Sequence, residues 1–338
     1  MASIDVLKNK YACANLMDLQ VLEQLRADLK IVSTEEVVTL EDHIAFLGLV
    51  RSFRVGLAKS DSLKGDNYPS LLASLLSVGE DGLYSNNLRF LYELIQNVDD
   101  CNYDDSTNAN LEVRFDPALG RIILTYNEQG FTPFNVFAIT GIAEAAKNIS
   151  ADKVEIGEKG IGFKSVFGVA TKVLIQSGMF SFELHKDNFT VPVPVYEDFA
   201  PVIGTRLTLF VQPGKVESIY RAFFDEYCRK DALFNKNPLL FLNKLTKLRL
   251  YVDSWRSMTF SVSRNIQTYP DGLTCEDGVD LSVDLKEMRS GVSKDYQQKV
   301  ICRRYTKPIL YNRSACCSRY GPNTTFDGKR MLMQIVVP

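Results

Sequence analysis

The segment from Leu88 to Asp100 places apolar and polar side chains on opposite sides of a helix, and this separation is the strongest constraint on the fold. At about 100° per residue, the apolar residues collect on one side and can pack into a core. The opposite side collects Glu93, Asn97 and Asp100. The apolar residues are Leu88, Leu91, Leu94, Ile95 and Val98. The pattern predicts a helix that covers a core and offers a polar face to a ligand.

The polar face carries the residue types of a site that holds water and a metal ion. A carboxylate such as that of Glu93 can hold and polarise a water molecule. An amide oxygen one turn later, at Asn97, is a hard ligand that suits Mg²⁺. Solvated helix faces carry the same residue types, so the helix by itself does not identify a site.

A second segment, from Gly157 to Ser165, contains three glycines within six residues. Glycine permits backbone N–H groups to approach phosphate oxygens closely. The apolar run that begins at Phe163 predicts a helix whose N-terminus favours anions, and Lys164 could add a positive charge. The spacing fits neither a P-loop nor the dinucleotide fingerprint, because Phe163 precedes Lys164 and Ser165 replaces the last glycine. The two segments together predict a nucleotide site on a different fold.

The order and spacing of these segments resemble the ATPase superfamily of gyrase, heat-shock chaperones, histidine kinases and MutL (GHKL), and most closely its branch with No Vein and sacsin. Residues 90–97 resemble the family's N-box, in which the glutamate matching Glu93 is the hydrolytic base and the asparagine matching Asn97 binds Mg²⁺. Residues 156–167 resemble the glycine box at the far end of the ATP lid, and residues 204–209 resemble the closing Gly-Thr strand.

The resemblance implies an α+β fold, a Bergerat-type α/β sandwich with a mixed sheet and helices on one face. It implies ATP and Mg²⁺ as cofactors, Glu93 as the catalytic residue and Asn97 as the metal ligand. The implied nucleotide-binding residues are Asn97, Asp100, Asn127, Glu128, Gly130, Lys147, Gly157, Lys159, Gly160, Ile161, Gly162, Phe163, Lys164, Ser165 and Thr205.

One segment departs from the family pattern. The family usually carries Asp-x-Gly-x-Gly after a strand, and its aspartate accepts the adenine amino group. Here the strand pattern at 121–126 is followed by Asn127, Glu128, Gln129 and Gly130. Asn127 and Glu128 both supply an acceptor oxygen. The sequence leaves open which of the two reads the base and which base is preferred.

Three regions are predicted along the chain. Residues 1–69 form a helical N-terminal extension and linker, residues 70–215 form the ATP-binding domain, and residues 216–338 form a C-terminal α+β region rich in strands. The chain ends inside an apolar strand pattern, which predicts that the natural protein is longer. Helices are expected at 16–29, 35–57 and 216–229, and a lid over the nucleotide is expected at 132–156. Strands are expected at 111–115, 121–126, 172–177, 179–185, 205–211, 248–252, 258–262, 300–305 and 331–337.

Composition narrows the class of protein. The net charge of −2 argues against an overall nucleic-acid footprint. No apolar run reaches membrane-spanning length, and the first residues lack the apolar stretch of a signal peptide. The seven cysteines include no C-x-x-C pair, which argues against a zinc site or a disulfide framework. We therefore expect an intracellular protein, cytoplasmic or nuclear, without a membrane partner.

The combined pattern predicts Mg²⁺-dependent ATP binding and slow ATP hydrolysis that rearrange the lid and the flanking domains, in a chaperone-like or regulatory role. ATP and ADP are the expected ligands, a nucleotide-bound homodimer is one expected form, and the client protein is not identified. One alternative is a switch that binds ATP without hydrolysis. Another is an ATP-driven nucleic-acid or chromatin factor. That alternative depends on a basic segment within 299–319, which contains Lys299, Arg303, Arg304, Lys307, Arg313 and Arg319.

A histidine kinase is disfavoured. The chain has two histidines, His43 and His185, and neither lies in a dimerisation signature. A lone histidine in a helix is more often structural than a phosphate acceptor.

Overall fold

The computed structural model describes residues 4–16, 18–33, 39–59, 88–104, 108–141, 162–227, 238–240, 242–252, 256–268, 274–289, 292–310 and 330–337. Within these ranges the chain is an α+β protein with one mixed sheet. The helices are α1 (Ile4–Tyr11), α2 (Leu19–Val32), α3 (Leu40–Lys59), α4 (Arg89–Asp100), α5 (Pro133–Ile139) and α6 (Pro213–Tyr227), with 3-10 helices at Gly162–Gly168 and Pro238–Leu240.

Eleven described strands form the sheet, in the order β11-β10-β9-β8-β7-β1-β2-β6-β3-β4-β5. The pairing of β1 with β7 is parallel, and the other described pairings are antiparallel. The strands are β1 (Ala109–Asp116), β2 (Arg121–Tyr126), β3 (Ala170–Gly178), β4 (Phe180–His185), β5 (Asn188–Pro194), β6 (Val202–Val211), β7 (Leu245–Val252), β8 (Arg256–Thr268), β9 (Thr274–Arg289), β10 (Val292–Leu310) and β11 (Arg330–Val337).

The core lies between the helices and one face of the sheet. Alternating side chains of β1, such as Val113 and Phe115, are fully buried there. Phe115 meets Tyr220 of α6, with the ring centroids 6.2 Å apart. Helix α3 packs against the other end of the same face, where His43 and Phe46 contact Phe180. The helices therefore cover one face, as the sequence predicts for a sandwich.

His43 is part of this core. It is 7% exposed, and its ring Nδ1 lies 2.6 Å from the carbonyl oxygen of Thr39. The ring packs edge-on against Phe180 at 4.5 Å. These contacts support a structural role for this histidine.

The strands predicted at 111–115 and 121–126 are confirmed, and β1 and β2 pair as a hairpin across the turn at 117–120. The Asp116 carboxylate accepts the backbone N–H of Leu119 at 3.0 Å, and Gly120 supplies a positive φ of 62°. Other expected strands are also confirmed, at 205–211, 248–252, 258–262, 300–305 and 331–337.

Two strands were not predicted. The first, β5, contains Pro192 and Pro194, which argue against a strand because proline cannot donate to a ladder. The structure places β5 at the sheet edge, where a missing donor is tolerated. The second, β9, carries many charged residues and pairs with β8 and β10. The segment expected to open a helix at Phe163 is instead a 3-10 helix.

The sheet is continuous across the predicted domain boundary at residue 215. Strand β7 lies in the predicted C-terminal region, yet it pairs with β1 of the predicted ATP-binding domain. The division into domains itself stays a prediction. The linker at 60–69 and most of the expected lid lie outside the described residues.

Asp99 fastens helix α4 to the start of β7. Its carboxylate is buried and accepts three successive backbone N–H groups, from Asn243 at 2.8 Å, Lys244 at 2.8 Å and Leu245 at 2.7 Å. The Lys244 ammonium returns to the helix end and donates to the carbonyl oxygen of Cys101 at 2.6 Å. A buried carboxylate satisfied by three donors holds these two elements in a fixed relation.

We predict that Asp99→Ala lowers the free energy of unfolding by about 2–4 kcal/mol, because it leaves three backbone donors without an acceptor and the donor of Leu245 is buried. Asp99→Asn keeps one acceptor oxygen and should be intermediate. Urea titration followed by circular dichroism measures both. Glu217→Ala, at an exposed site on α6, is the control and should change the value by less than about 0.5 kcal/mol. An unaltered midpoint in Asp99→Ala would show that this contact does not stabilise the fold.

Candidate functional site

Helix α4 has the two faces that its sequence predicts. The five apolar residues of the stripe are each at most 2% exposed, which confirms their place in the core. Glu93, Asn97 and Asp100 are partly exposed on the other side. Amide and carboxylate oxygens on this polar face have the chemistry that Mg²⁺ prefers, so the residues present fit that ion.

The glycine segment approaches this polar face at Glu93. A Cβ atom built on Gly162 would lie 2.9 Å from Glu93 Oε2, too close for an unmoved side chain. Gly162 begins the 3-10 helix that continues to Gly168. The fold therefore brings together the two sequence segments that predicted a nucleotide site.

The second cluster is a directional chain of hydrogen bonds that ends on Glu128. Thr205 Oγ1 donates to Glu128 Oε1. Because that donation uses the only hydroxyl proton of Thr205, the Ser177 hydroxyl donates to Thr205 Oγ1. Ser177 Oγ in turn accepts the backbone N–H of Phe131 at 2.7 Å. The chain fixes the orientation of the Glu128 carboxylate.

Burial sets the electrostatics of Glu128. The side chain is 8% exposed, and desolvation raises the pKa of its carboxyl above the ordinary value. Hydrogen bonds from Thr205 and the Gly130 backbone oppose this rise in pKa. The carboxyl is therefore a desolvated acceptor whose orientation these hydrogen bonds fix.

Asn127 performs a different task. Its Oδ1 accepts the backbone N–H of Asn110 at 2.8 Å, and its Nδ2 donates to the carbonyl oxygen of Asn108 at 2.9 Å. Both ends of the amide are thus used to hold the chain entering β1. The geometry favours Glu128 over Asn127 as the acceptor for a base.

Gly204 explains how Thr205 reaches Glu128. Its φ is +73°, and a Cβ atom there would lie 2.2 Å from the carbonyl oxygen of Tyr126. No other residue tolerates both the backbone conformation and the close approach. The glycine lets β6 lie against the end of β2, where the Glu128 loop begins.

Glu93 lies in the first half of α4, whereas the loop that carries Glu128 meets the chain just after the helix, where the Gln129 backbone N–H donates to the carbonyl oxygen of Asn102 at 3.0 Å. The charge of Glu128 acts on Cys101, the residue after the helix, whose thiol pKa burial raises to about 12.

The side chains that follow Gly162 have structural partners. The Lys164 ammonium is 4% exposed and donates to the carbonyl oxygens of Ile139 at 2.5 Å and Phe189 at 2.9 Å. Burial lowers the pKa of Lys164 to about 7, and the charge of Arg54 adds to the effect. Ser165 Oγ donates to the carbonyl oxygen of Gly162 at 2.6 Å. Phosphate contacts by these two side chains stay predictions that this geometry does not favour.

Some predicted site residues cannot be placed. Those that lie outside the described residues are Lys147, Gly157, Lys159, Gly160 and Ile161. Phe163, also a predicted contact, is 9% exposed and belongs to the core beside Lys164.

Ser177 is a site residue that the sequence reasoning missed. It is fully buried on β3 directly opposite Thr205 on β6. A polar residue on the inward side of a predicted strand was the available signal. Its partner could be found only once the strand pairing was known.

Two further features of the described part of the chain concern metal-ligand chemistry and membrane insertion. No three His, Cys, Asp or Glu side chains converge there in an arrangement that could hold a metal ion. None of the helices described has both the length and the apolar character needed to cross a bilayer.

Two curated proteins resemble parts of this chain. Protein NO VEIN from Arabidopsis thaliana is 38% identical over 137 residues, which cover 40% of this chain and 4% of that protein. Chaperone protein HtpG from Albidiferax ferrireducens is 30% identical over 134 residues, which cover 33% of this chain and 20% of that protein. The chain thus spans a fifth or less of the length of these relatives. No family model matches it. The similarities are compatible with a GHKL-like ATPase.

We predict a specific pH dependence of stability from the burial of Glu128. Its pKa is higher in the folded than in the unfolded chain, so folding opposes ionisation. The wild type therefore loses stability as the pH rises from the ordinary glutamate value of 4.5 through the raised pKa. Glu128→Gln does not ionise, so its Tm minus that of the wild type should become more positive across this window.

Thermal unfolding monitored by circular dichroism between about pH 4 and pH 8 measures this difference. Glu217→Gln removes a carboxylate from an exposed site and is the matched control. A Tm difference for Glu128→Gln that follows the control at every pH would contradict a raised pKa.

Proposed function

We propose that this chain is a GHKL-type module with a Bergerat fold that binds Mg²⁺·ATP and hydrolyses it slowly. One observation carries the proposal: α4 has Glu93 beside Gly162 in its first half, and the loop that carries Glu128 is hydrogen-bonded to the chain just after the helix. The two ends have complementary chemistry. One suits phosphate, water and a metal ion, and the other suits a base that donates an N–H.

At the base end, the Glu128 carboxylate accepts the exocyclic amino group of adenine. Thr205 and Ser177 hold that carboxylate in place, because each hydroxyl in the chain has its proton committed towards Glu128. The preorganised acceptor costs little reorganisation when the base binds. In this proposal Asn127 supports β1 and does not touch the nucleotide.

At the phosphate end, Gly162 leaves room for a phosphate oxygen to approach the backbone. Asn97 contributes an amide oxygen to Mg²⁺, and Asp100 supports the nucleotide from the following turn. When bound, the ion neutralises phosphate charge. Glu93 accepts a proton from the attacking water, which raises the water's nucleophilicity towards the terminal phosphorus.

The similarity to a protein named as a chaperone supports a chaperone-like use of this cycle. We propose that the nucleotide state changes the lid and, through the Asp99 contact with the backbone before β7, the C-terminal strands. A nucleotide-bound homodimer and a protein client belong to this proposal. An intracellular location, cytoplasmic or nuclear, belongs to it as well.

Two other functions remain candidates. A switch that binds ATP without hydrolysis would use the same site. A nucleic-acid factor would use the basic segment at 299–319, whose side chains lie outside the described residues. Salt-dependent binding of DNA or RNA would favour the latter.

Calorimetric titration of the protein with ATP, ADP and GTP, with and without Mg²⁺, tests nucleotide binding directly. We predict preference for adenine nucleotides and tighter ATP binding with Mg²⁺. Glu128→Ala should weaken the binding of adenine nucleotides by about tenfold or more, since it removes a charged hydrogen-bond acceptor. If Asn127→Ala causes the larger loss in a folded protein, the base is read by Asn127. Absence of binding by the wild type would refute the proposal.

The hydrolytic step has its own prediction. Glu93→Gln keeps the shape of the side chain but removes the base, so ATP binding should persist while hydrolysis falls by ~10²–10⁴-fold. Asn97→Ala should instead weaken Mg²⁺·ATP binding and make it less responsive to Mg²⁺. Phosphate release under saturating ATP measures the rate.

Two glycines provide a control for the same step. Gly162→Ala pushes its methyl group against Glu93 and should lower hydrolysis, whereas Gly168→Ala points into open space and should not. Wild-type hydrolysis no faster than that of Glu93→Gln would leave the non-hydrolysing switch as the function.

A further inference from the structure

Arg89 stands one helical turn before Glu93, as the first residue of α4. Its Nε lies 3.7 Å from Glu93 Oε1, and the two side chains remain 56% and 31% exposed. The other carboxylate oxygen, Oε2, faces Gly162. Arg89 and Gly162 therefore approach the same carboxylate through different oxygens.

Stability does not account for this arginine. A cation is unfavourable at a helix N-terminus, because the helix dipole is positive there. The first turn of α4 contains no acidic residue to offset it. The order Arg before Glu is also the weaker orientation of an i,i+4 pair, whereas Glu217 and Arg221 on α6 have the stronger order. An exposed pair in this arrangement contributes little to folding.

We propose that Arg89 binds the terminal phosphate of ATP and exchanges Glu93 for that phosphate when ATP enters. The inference rests on the proposed function. A phosphate beside Gly162 lies next to Glu93 and within the reach of a long arginine side chain that already extends towards that carboxylate. The planar guanidinium fork matches phosphate oxygens better than it matches one carboxylate oxygen at 3.7 Å.

The exchange has a consequence for hydrolysis. Without a terminal phosphate, Arg89 holds Glu93 in an ion pair. With ATP bound, the guanidinium moves to the phosphate and releases Glu93 to accept a proton from water. Arg89 thereby makes the site distinguish ATP from ADP, since ADP has no terminal phosphate to compete for the guanidinium.

The test compares the affinities of ATP and ADP, each with Mg²⁺, for the wild type, Arg89→Ala and Arg89→Lys. We expect Arg89→Ala to weaken the binding of ATP by about tenfold or more and the binding of ADP by less than about twofold. Arg89→Lys keeps the charge without the fork and should restore part of the loss. Arg221→Ala removes an exposed arginine from an i,i+4 pair on α6 and should change neither affinity.

A second measurement separates exchange from simple attraction. Glu93→Gln releases Arg89 before ATP arrives, so its preference for ATP over ADP should exceed that of the wild type. The gain should shrink when Arg89 is replaced as well. If the ratio of ATP affinity to ADP affinity in Arg89→Ala equals that of the wild type, the proposal is overturned while nucleotide binding stays intact. A wild type that binds neither nucleotide would overturn the proposed function and this role with it.

Discussion

The buried carboxylate of Asp99 is the contact on which the arrangement of this protein depends. Parallel strands cannot be joined by a tight turn, so β7 must return to the side of β1 after a long excursion of the chain. Asp99 receives the returning backbone with three hydrogen bonds and ties it to α4. The helix that carries Glu93 and Asn97 is therefore fixed to the strands that extend the sheet.

Much of the fold was predictable because local patterns and tertiary packing agree. The stripe on α4, the hairpin of β1 with β2 and the strand at 248–252 each have a period that matches their burial. Asp99 was not predicted, although it falls four residues after Ile95 on the apolar side. Its partners are far along the chain, and only the tertiary fold brings them to the carboxylate. The same limit applies to Ser177, whose partner Thr205 lies on another strand.

The candidate site combines residues placed for function with residues placed for structure, and the sequence does not separate the two. Glycine and lysine within one motif suggest a common ligand, yet Lys164 is directed at backbone carbonyls whereas Gly162 adjoins Glu93. Asn127 and Glu128 are neighbours with different partners, since Asn127 holds the chain entering β1 whereas Glu128 accepts from Thr205. Burial of the Glu128 carboxylate lowers the stability of the fold at neutral pH, because no described cation takes part in its hydrogen-bond chain. Such a cost is typical of groups that are kept for binding.

Lys164 has a further effect through its two backbone partners. Its contact with Ile139 joins the end of α5 to the 3-10 helix that begins at Gly162, and its contact with Phe189 joins the same 3-10 helix to β5. A buried ammonium that lost these acceptors would be left uncompensated, so the three elements are held together as one unit. A single side chain thereby fixes the position of the glycine that adjoins Glu93 relative to the end of α5.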